Sequence, residues 1–286
     1  MAKTQSVKEK KIRKLFVLGD IHIRNAKRID EYQEMLTRLI SSIKEESKDY
    51  NKEEIRIVVC GDIFDNKIDI SEEAHIICNW LISELQEICK TVIIAGNHDC
   101  NVNNLNRTDP LSAMFQLCGY KNAHYLDAEL GYESGCLEDG NIVWCLYSIF
   151  SGFNRPGNLE ALRIEHPDKV FVGLCHGEVK GCTTNAGYIS DNGLSVSYFD
   201  GLDVCLCGHI HKRQVLNGND CKIYYTGSVI QQNQGESVSD HGYLIYDVEN
   251  DEMESRDIPN DNYGFYSFEI NDIKDLSEDK EEYINP

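Results

Sequence analysis

The chain has 286 residues, 41% of them hydrophobic, which is enough for a sizeable core in one large unit. Its formal net charge of −20 argues against a bare nucleic-acid binder that works through a basic surface. It has no run of 18 or more apolar residues, so no membrane-spanning helix is predicted.

The charged N-terminal segment leads directly into Leu15-Phe16-Val17-Leu18. That run is too short for a signal-peptide core, and no small-residue cleavage site follows it. The twelve cysteines include no C-x-x-C pair, which speaks against a structural zinc ribbon. Most of them sit inside apolar runs, where a reduced thiol behaves as a small hydrophobe. The expectation is a reducing intracellular compartment, cytoplasmic or nucleoid/nuclear, and a chain that is not secreted. Charge is uneven along the sequence. Residues 1–14 are basic, whereas from Asp247 onward 14 acidic residues face 3 basic ones. This predicts a basic tail over 1–13, a catalytic domain over 14–250 and an acidic extension over 251–286.

In chain order, residues 15–19 read as a buried strand. Tyr32, Met35, Leu36, Leu39, Ile40 and Ile43 follow at three- and four-residue steps, which marks an amphipathic helix. Residues 55–60 form the next strand, and Ala74, Ile77, Leu81, Leu85 and Ile88 mark a second helix. Residues 91–95 are a third strand, so βαβ units and a largely parallel sheet are expected. The second half changes character. Residues 142–147, 170–175, 204–207, 222–226 and 243–248 read as strands, with one helix near 159–164. Gly140-Asn141 and Gly218-Asn219 read as hairpin turns. A second, partly antiparallel sheet packed on the first is predicted, with one more strand over 263–268.

Chemistry-bearing residues follow these runs. Asp20 and His22 follow the first, Asp62 the second, and Asn97-His98-Asp99 the third. His176 ends the run at 170–175, and His209 and His211 follow 204–207. Ligands in open α/β sheets bind at the carboxyl ends of strands, so these side chains are expected on one rim. Asp20 and His22 are two apart and can share one side of an extended segment, a spacing that His209 and His211 repeat. Asp, His and Asn without Cys suit Mn²⁺, Fe²⁺ or Zn²⁺, with Mn²⁺ the leading expectation. Seven such donors exceed the needs of one open ion and suit two ions about 3.5–4 Å apart, which together activate water. His98 is the candidate general acid or transition-state stabiliser, with Asp99 expected to orient its ring. His75, His124, His166 and His241 are expected to be structural or surface residues.

The order D-x-H, G-D, G-N-H-D, H-G and G-H-x-H over residues 14–248 resembles the calcineurin-like metallophosphoesterase superfamily. That resemblance implies a four-layer αββα sandwich of two mixed sheets. It also implies one metal held by Asp20, His22 and His211, a second held by Asn97, His176 and His209, and Asp62 as the bridge. Gly61-Asp62-Ile63-Phe64-Asp65-Asn66 departs from the G-D-x-V-D-R-G pattern of the Ser/Thr protein phosphatases. With Asp20-Ile21-His22-Ile23-Arg24 and Gly96-Asn97-His98-Asp99, it looks like the SbcD-type DNA double-strand-break repair nuclease subunit, and His241-Gly242-Tyr243 with Asn260 to Tyr266 looks like its phage and large-virus versions. Tyr225-Thr226-Gly227-Ser228 resembles the Y-P-G-S segment of that branch, with Thr226 in place of Pro.

The branch implies an exo- or endonuclease in repair or recombination, an SbcC-type coiled-coil ATPase partner, DNA as substrate and a homodimer. It also implies that the acidic extension begins a capping region. Arg24, Lys27, Arg28, Lys180, Lys212 and Arg213 are the candidate contacts to DNA phosphate. The alternative is a phosphoesterase for a small phosphodiester, a nucleotide or a phosphoprotein.

Overall fold

The computed structural model describes residues 11–104 and 107–266. The first half runs β1 (Lys14–Leu18), α1 (Ile29–Ser47), β2 (Ile55–Val59), α2 (Glu72–Ile88), β3 (Thr91–Ile93), α3 (Pro110–Cys118), β4 (Ala123–Tyr125) and α4 (Leu126–Glu129). Next come β5 (Gly135–Asp139), β6 (Ile142–Tyr147), α5 (Leu159–Glu165), β7 (Val170–His176) and β8 (Val204–Gly208). The chain continues with β9 (Gln214–Asn217), β10 (Lys222–Tyr225), β11 (Gly242–Asp247) and β12 (Glu252–Asp257).

Two six-stranded sheets result. The first has the order β12-β11-β1-β2-β3-β4, the second β5-β6-β7-β8-β10-β9. Both are mixed. β1 to β4 run parallel, β11 runs antiparallel to β1, and β12 runs antiparallel to β11. In the second sheet β6, β7, β8 and β10 are parallel, with antiparallel β5 and β9 at the edges. The hairpin turns expected at Gly140-Asn141 and Gly218-Asn219 join β5 to β6 and β9 to β10.

Three apolar cores separate four layers. Side chains alternate across a strand, so each central strand feeds two cores. Phe16, Leu18, Ile57 and Val59 point to α1 and α2 and meet Tyr32, Met35, Leu36, Leu81 and Leu85. Leu15, Val17, Val58 and Cys60 point the other way and meet Trp144, Leu146, Val172, Leu174 and Leu206 between the sheets. Val143, Cys145, Phe171, Cys205 and Ile223 form the outer core with Leu159, Phe199 and Leu202. Burial on both faces explains why these strands read as largely apolar runs, with Arg56 on β2 an exception. Each fully buried large side chain contributes roughly 1.5–3 kcal/mol. The outer layer over the second sheet is thin, because α5 is only seven residues long.

Local signals set the helices. Ser71 caps α2 by accepting the Ala74 N–H. Asp109 caps α3 ahead of Pro110, and Gly119 closes it in the left-handed region.

Ile12 is buried, and its N–H bonds Asn141 Oδ1 at 2.6 Å. The first sheet extends past residue 250, through β12. Residues 263–266 pair with no strand, and the remainder of that expected strand, 267–268, lies outside the described residues. So do residues 1–10 and the acidic stretch 272–282. All twelve cysteines are free, eleven of them buried. No helix among the described residues is long and apolar enough to cross a membrane.

Candidate metal centre

The parallel strands of both sheets end on one edge, and the segments just past β1, β2, β3 and β8, with the end of β7, meet there. The Cys60 carbonyl, just past β2, accepts a hydrogen bond from His176 Nδ1 at the end of β7, 2.7 Å away. Glycines permit this closeness. A Cβ on Gly96 would overlap the Asp62 carboxylate, and one on Gly208 would overlap the Cys60 carbonyl. The expected extended spacing of Asp20 and His22 is replaced by kinked backbone. Asp20, His22, Asp62 and His209 have φ of 50°, 51°, 51° and 90°, in the left-handed region that non-glycine residues rarely enter. Such strain persists only where surrounding structure over-determines it, and it clusters at functional sites.

All seven expected ligand side chains are brought together. His22 Nε2 lies 3.0 Å from His211 Nε2, 3.9 Å from Asp20 Oδ1 and 3.5 Å from Asp62 Oδ2. His211 Nε2 is 3.8 Å from Asp20 Oδ1. On the other side of Asp62, Oδ2 lies 3.2 Å from His176 Nε2. His209 Nδ1 lies 2.8 Å from Asn97 Oδ1. Two donor sets therefore share Asp62. Asp20, His22 and His211 form a compact group with donor atoms within 4.8 Å of one another, as do Asp20, Asp62 and His176.

The buried polar atoms test whether these sets fit divalent cations. His176 donates Nδ1–H to a carbonyl, which aims Nε2 at Asp62; burial works to lower the ring, but Asp62 outweighs it and pushes it up to about 10, and a cation would take Nε2 in place of that proton. That Nε2 is buried without an aligned hydrogen-bond partner, and so is His22 Nδ1. Orphaned buried polar atoms are rare in native proteins and call for an explanation. Burial pushes the His22 ring down to about 3 and the His209 ring to about 4, so both stay neutral and offer lone pairs. Burial pushes the Asp20 carboxyl up to about 6. Burial works against ionised Asp62 too, but the His176 ring beside it outweighs burial and holds that carboxyl well below its usual range. Hard-to-intermediate donors without sulfur suit Mn²⁺, Fe²⁺ or Zn²⁺.

His98 sits beside the first donor set. It has a ring nitrogen within 4.8 Å of the donors of His22 and Asp62, and its ring meets His22 edge-on at 4.8 Å. Its backbone N–H donates to Asp62 Oδ1 at 2.7 Å. The expectation that Asp99 orients the His98 ring is corrected. His98 Nδ1 instead donates to the Asp65 carbonyl at 2.6 Å. Asp99 is fully buried and accepts the N–H groups of Ile63, Phe64 and Gly96 at 3.0–3.2 Å, tying the loops after β2 and β3 together. Among the described residues no hydrogen bond joins Asp99 to that ring. Burial pushes the Asp99 carboxyl up to about 7.

One further site residue went unread in the sequence. Glu236 Oε1 accepts from His211 Nδ1 at 2.8 Å and from Asn233 Nδ2 at 2.7 Å. Its Oε2 accepts from the Gln232 N–H and the Ser228 hydroxyl. A carboxylate behind a ligand histidine fixes the tautomer so that Nε2 faces the metal side. Burial works to lower the His211 ring, but Glu236 and Asp20 outweigh it and raise it. The sequence signal was weak, because Glu236 follows a polar run rather than an apolar strand.

Half of the basic candidates are engaged in structure. Arg28 pairs with Glu31 and bonds the Gln231 carbonyl, Arg213 pairs with Asp257, and Arg24 bonds the Gln232 carbonyl. Lys27, Lys180 and Lys212 are exposed. The four remaining histidines are structural. His75 bonds the Ser71 carbonyl, His124 meets Glu129, His166 meets Glu138, and His241 meets Ser228 and Ser237.

Residues 13–213 match the model of the family described as calcineurin-like phosphoesterases. An uncharacterised protein of Acanthamoeba polyphaga mimivirus is 33% identical over 267 residues, covering 91% of this chain and 19% of its own length. The uncharacterised metallophosphoesterase YhaO of Bacillus subtilis is 25% identical over 203 residues, covering 69% of this chain and 46% of its own. A protein named as a phosphoesterase in invertebrate iridescent virus 6 is 28% identical over 242 residues, covering 81% and 75%. The chain thus spans about a fifth of the first relative and under half of the second.

Proposed function

Because the chain belongs to the calcineurin-like phosphoesterase family, we propose that it is a two-metal phosphodiesterase that hydrolyses DNA. The observation that carries the hydrolase reading is the pair of donor sets sharing Asp62, with a buried orphan nitrogen on His176. In this reading Asp20, His22, Asp62 and His211 hold one ion, and Asp62, Asn97, His176 and His209 hold the other. When bound, the ions supply an activated water and positive charge for the phosphate oxygens, and Mn²⁺ is the proposed metal.

The protein's own residues do the rest. Glu236 and the Cys60 carbonyl hold the rings of His211 and His176 by Nδ1, which turns their Nε2 atoms toward the proposed metal site. Asp62 Oδ1 and the Asp65 carbonyl fix the backbone and ring of His98. With Nδ1–H committed to that carbonyl, Nε2 is the atom that stabilises phosphate charge or passes a proton to the departing oxygen. Asp99 acts through the backbone it ties down and is a positioning residue.

The DNA assignment, a role in repair or recombination and an SbcC-type ATPase partner rest on the strand-end motifs Asp20-Ile21-His22-Ile23-Arg24 and Gly61-Asp62-Ile63-Phe64-Asp65. The net charge of −20 favours a second reading, a small phosphodiester or nucleotide as substrate, because DNA affinity normally draws on Lys and Arg. Turnover of linear DNA and of bis-p-nitrophenyl phosphate in Mn²⁺ separates the two. Cleavage of DNA that is lost in His98→Asn supports the first. Rapid turnover of the small diester beside intact DNA supports the second.

A further inference from the structure

A recess of about 600 Å³ opens against the second donor set, with His176 and His209 in its wall. Apart from Asn97 and Glu178 the rest of its wall is apolar and aromatic, with Phe150, Phe153 and Leu194 among others, and none of its lining residues is Lys or Arg. A smaller recess of about 290 Å³ also has His209 in its wall, with His211 and Glu236. The larger recess carries the aromatic lining, and the smaller one carries none.

The aromatic lining is held in place by strain. Phe153 has φ 62°, a left-handed conformation that is unfavourable for a bulky residue. Its N–H closes a tight turn on the Ser148 carbonyl at 2.8 Å. Its ring lies so close to Gly177, the residue after His176, that a Cβ there would sit 3.2 Å from it. Phe150 is braced edge-on by Tyr132 at 4.9 Å and is half-buried. The one acidic side chain of the recess, Glu178, makes no hydrogen bond among the described residues.

We propose that this recess seats the nucleobase attached to the nucleotide whose phosphate lies at the metal centre. An aromatic-walled cavity without cations repels the anionic part of a substrate and accepts a flat base by stacking. Glu178 offers an acceptor for a base N–H. A base can enter only after leaving its stack, so the enzyme acts on unpaired or frayed nucleotides ahead of bases held inside an intact duplex. The proposal rests on the DNA-hydrolysing reading and names the substrate feature that site selects.

The test compares kcat/KM on two short single strands that differ only in the cleaved nucleotide, one with its base and one abasic. The wild type is expected to favour the base-bearing strand about tenfold or more. Phe150→Ala and Leu194→Ala are each expected to bring that ratio toward one. Equal rates on both strands, or an unchanged ratio in both variants, overturn the recess while leaving the nuclease reading intact. If neither strand is cut although bis-p-nitrophenyl phosphate is, the DNA reading falls instead. The recess is then judged by 2-aminopurine nucleoside monophosphate fluorescence. Quenching by the wild type that weakens in Phe150→Ala sustains it, and absence of quenching overturns it.

Discussion

The Nε2 atoms of His22 and His211 face each other 3.0 Å apart across an edge where Asp20 and Asp62 also converge. Glu236 accepts a hydrogen bond from His211 Nδ1–H, which turns Nε2 toward a ring that burial keeps neutral. A cation between the rings would satisfy both. Chelation should therefore lower the melting midpoint, and added Mn²⁺ should restore it. Mass action predicts about 2.7 kcal/mol of stabilisation at a hundredfold excess over Kd. Scanning calorimetry of chelated and Mn²⁺-supplemented protein measures the shift, and coincident transitions would count against the fit.

Glu236 gives the sharpest prediction about positioning. Glu236→Gln keeps the shape but weakens the hold on the His211 tautomer. Loss of such a carboxylate typically lowers metal affinity or activity by about 10–100-fold. Mn²⁺ titration beside kcat/KM should show weaker binding with little change in melting midpoint. A purely structural role would instead lower the midpoint and leave metal affinity alone.

His98 stands outside both proposed donor sets. His98→Asn should lower kcat by about 10²–10⁴-fold while the protein still binds two ions. Metal analysis alongside steady-state kinetics separates this from a ligand defect.

The pair Arg56–Asp139 predicts how stability responds to acid. Arg56 lies on β2 of the first sheet and Asp139 ends β5 of the second, and two hydrogen bonds of 2.8 and 2.9 Å join them. Burial works to raise the Asp139 carboxyl, but Arg56, with Lys90 and Trp144, outweighs it and holds the carboxyl at about 2. A carboxyl depressed in the folded state stabilises above its unfolded value of 3.8 and loses that contribution as pH falls toward 2. Urea midpoints should fall steeply in that window, and less steeply for Asp139→Asn. Arg56→Ala removes the two-bond partner and leaves the buried carboxylate to Lys90 and Trp144, so the cost near neutrality should stay below the roughly 3–5 kcal/mol of a fully unpaired buried charge.

Gly96→Ala tests the close approach of the loops after β2 and β3. The added methyl overlaps the Asp62 carboxylate, so that carboxylate must move. Activity should fall well beyond any loss of helix or sheet content, read by circular dichroism beside turnover.

Much of this architecture was legible in the linear chain, for a physical reason. The central strands are buried on both faces, so 55–59 and 204–208 announce themselves as apolar runs that end in polar chemistry. α1 was readable from its three-to-four periodicity. β9 and β12 were not, because they are largely exposed edge strands with polar sequences. Their pairing comes from the neighbour's backbone and leaves no hydrophobic trace. Placement of Asp20, Asn97 and His176 at strand ends followed from chain order, whereas the left-handed kinks at Asp20 and His22 did not. Asp99 was misread because its neighbour in sequence, His98, points elsewhere, and its partners are amides of two loops. Glu236 was invisible because only the fold returns it to His211, 25 residues earlier.

Titration of Mn²⁺ into metal-free protein, followed by calorimetry, probes the shared-carboxylate centre most directly. Two ions per chain should bind the wild type, and Asp62→Asn should lose tight binding of both. Zero stoichiometry, or two ions bound equally well after that substitution, would contradict the account.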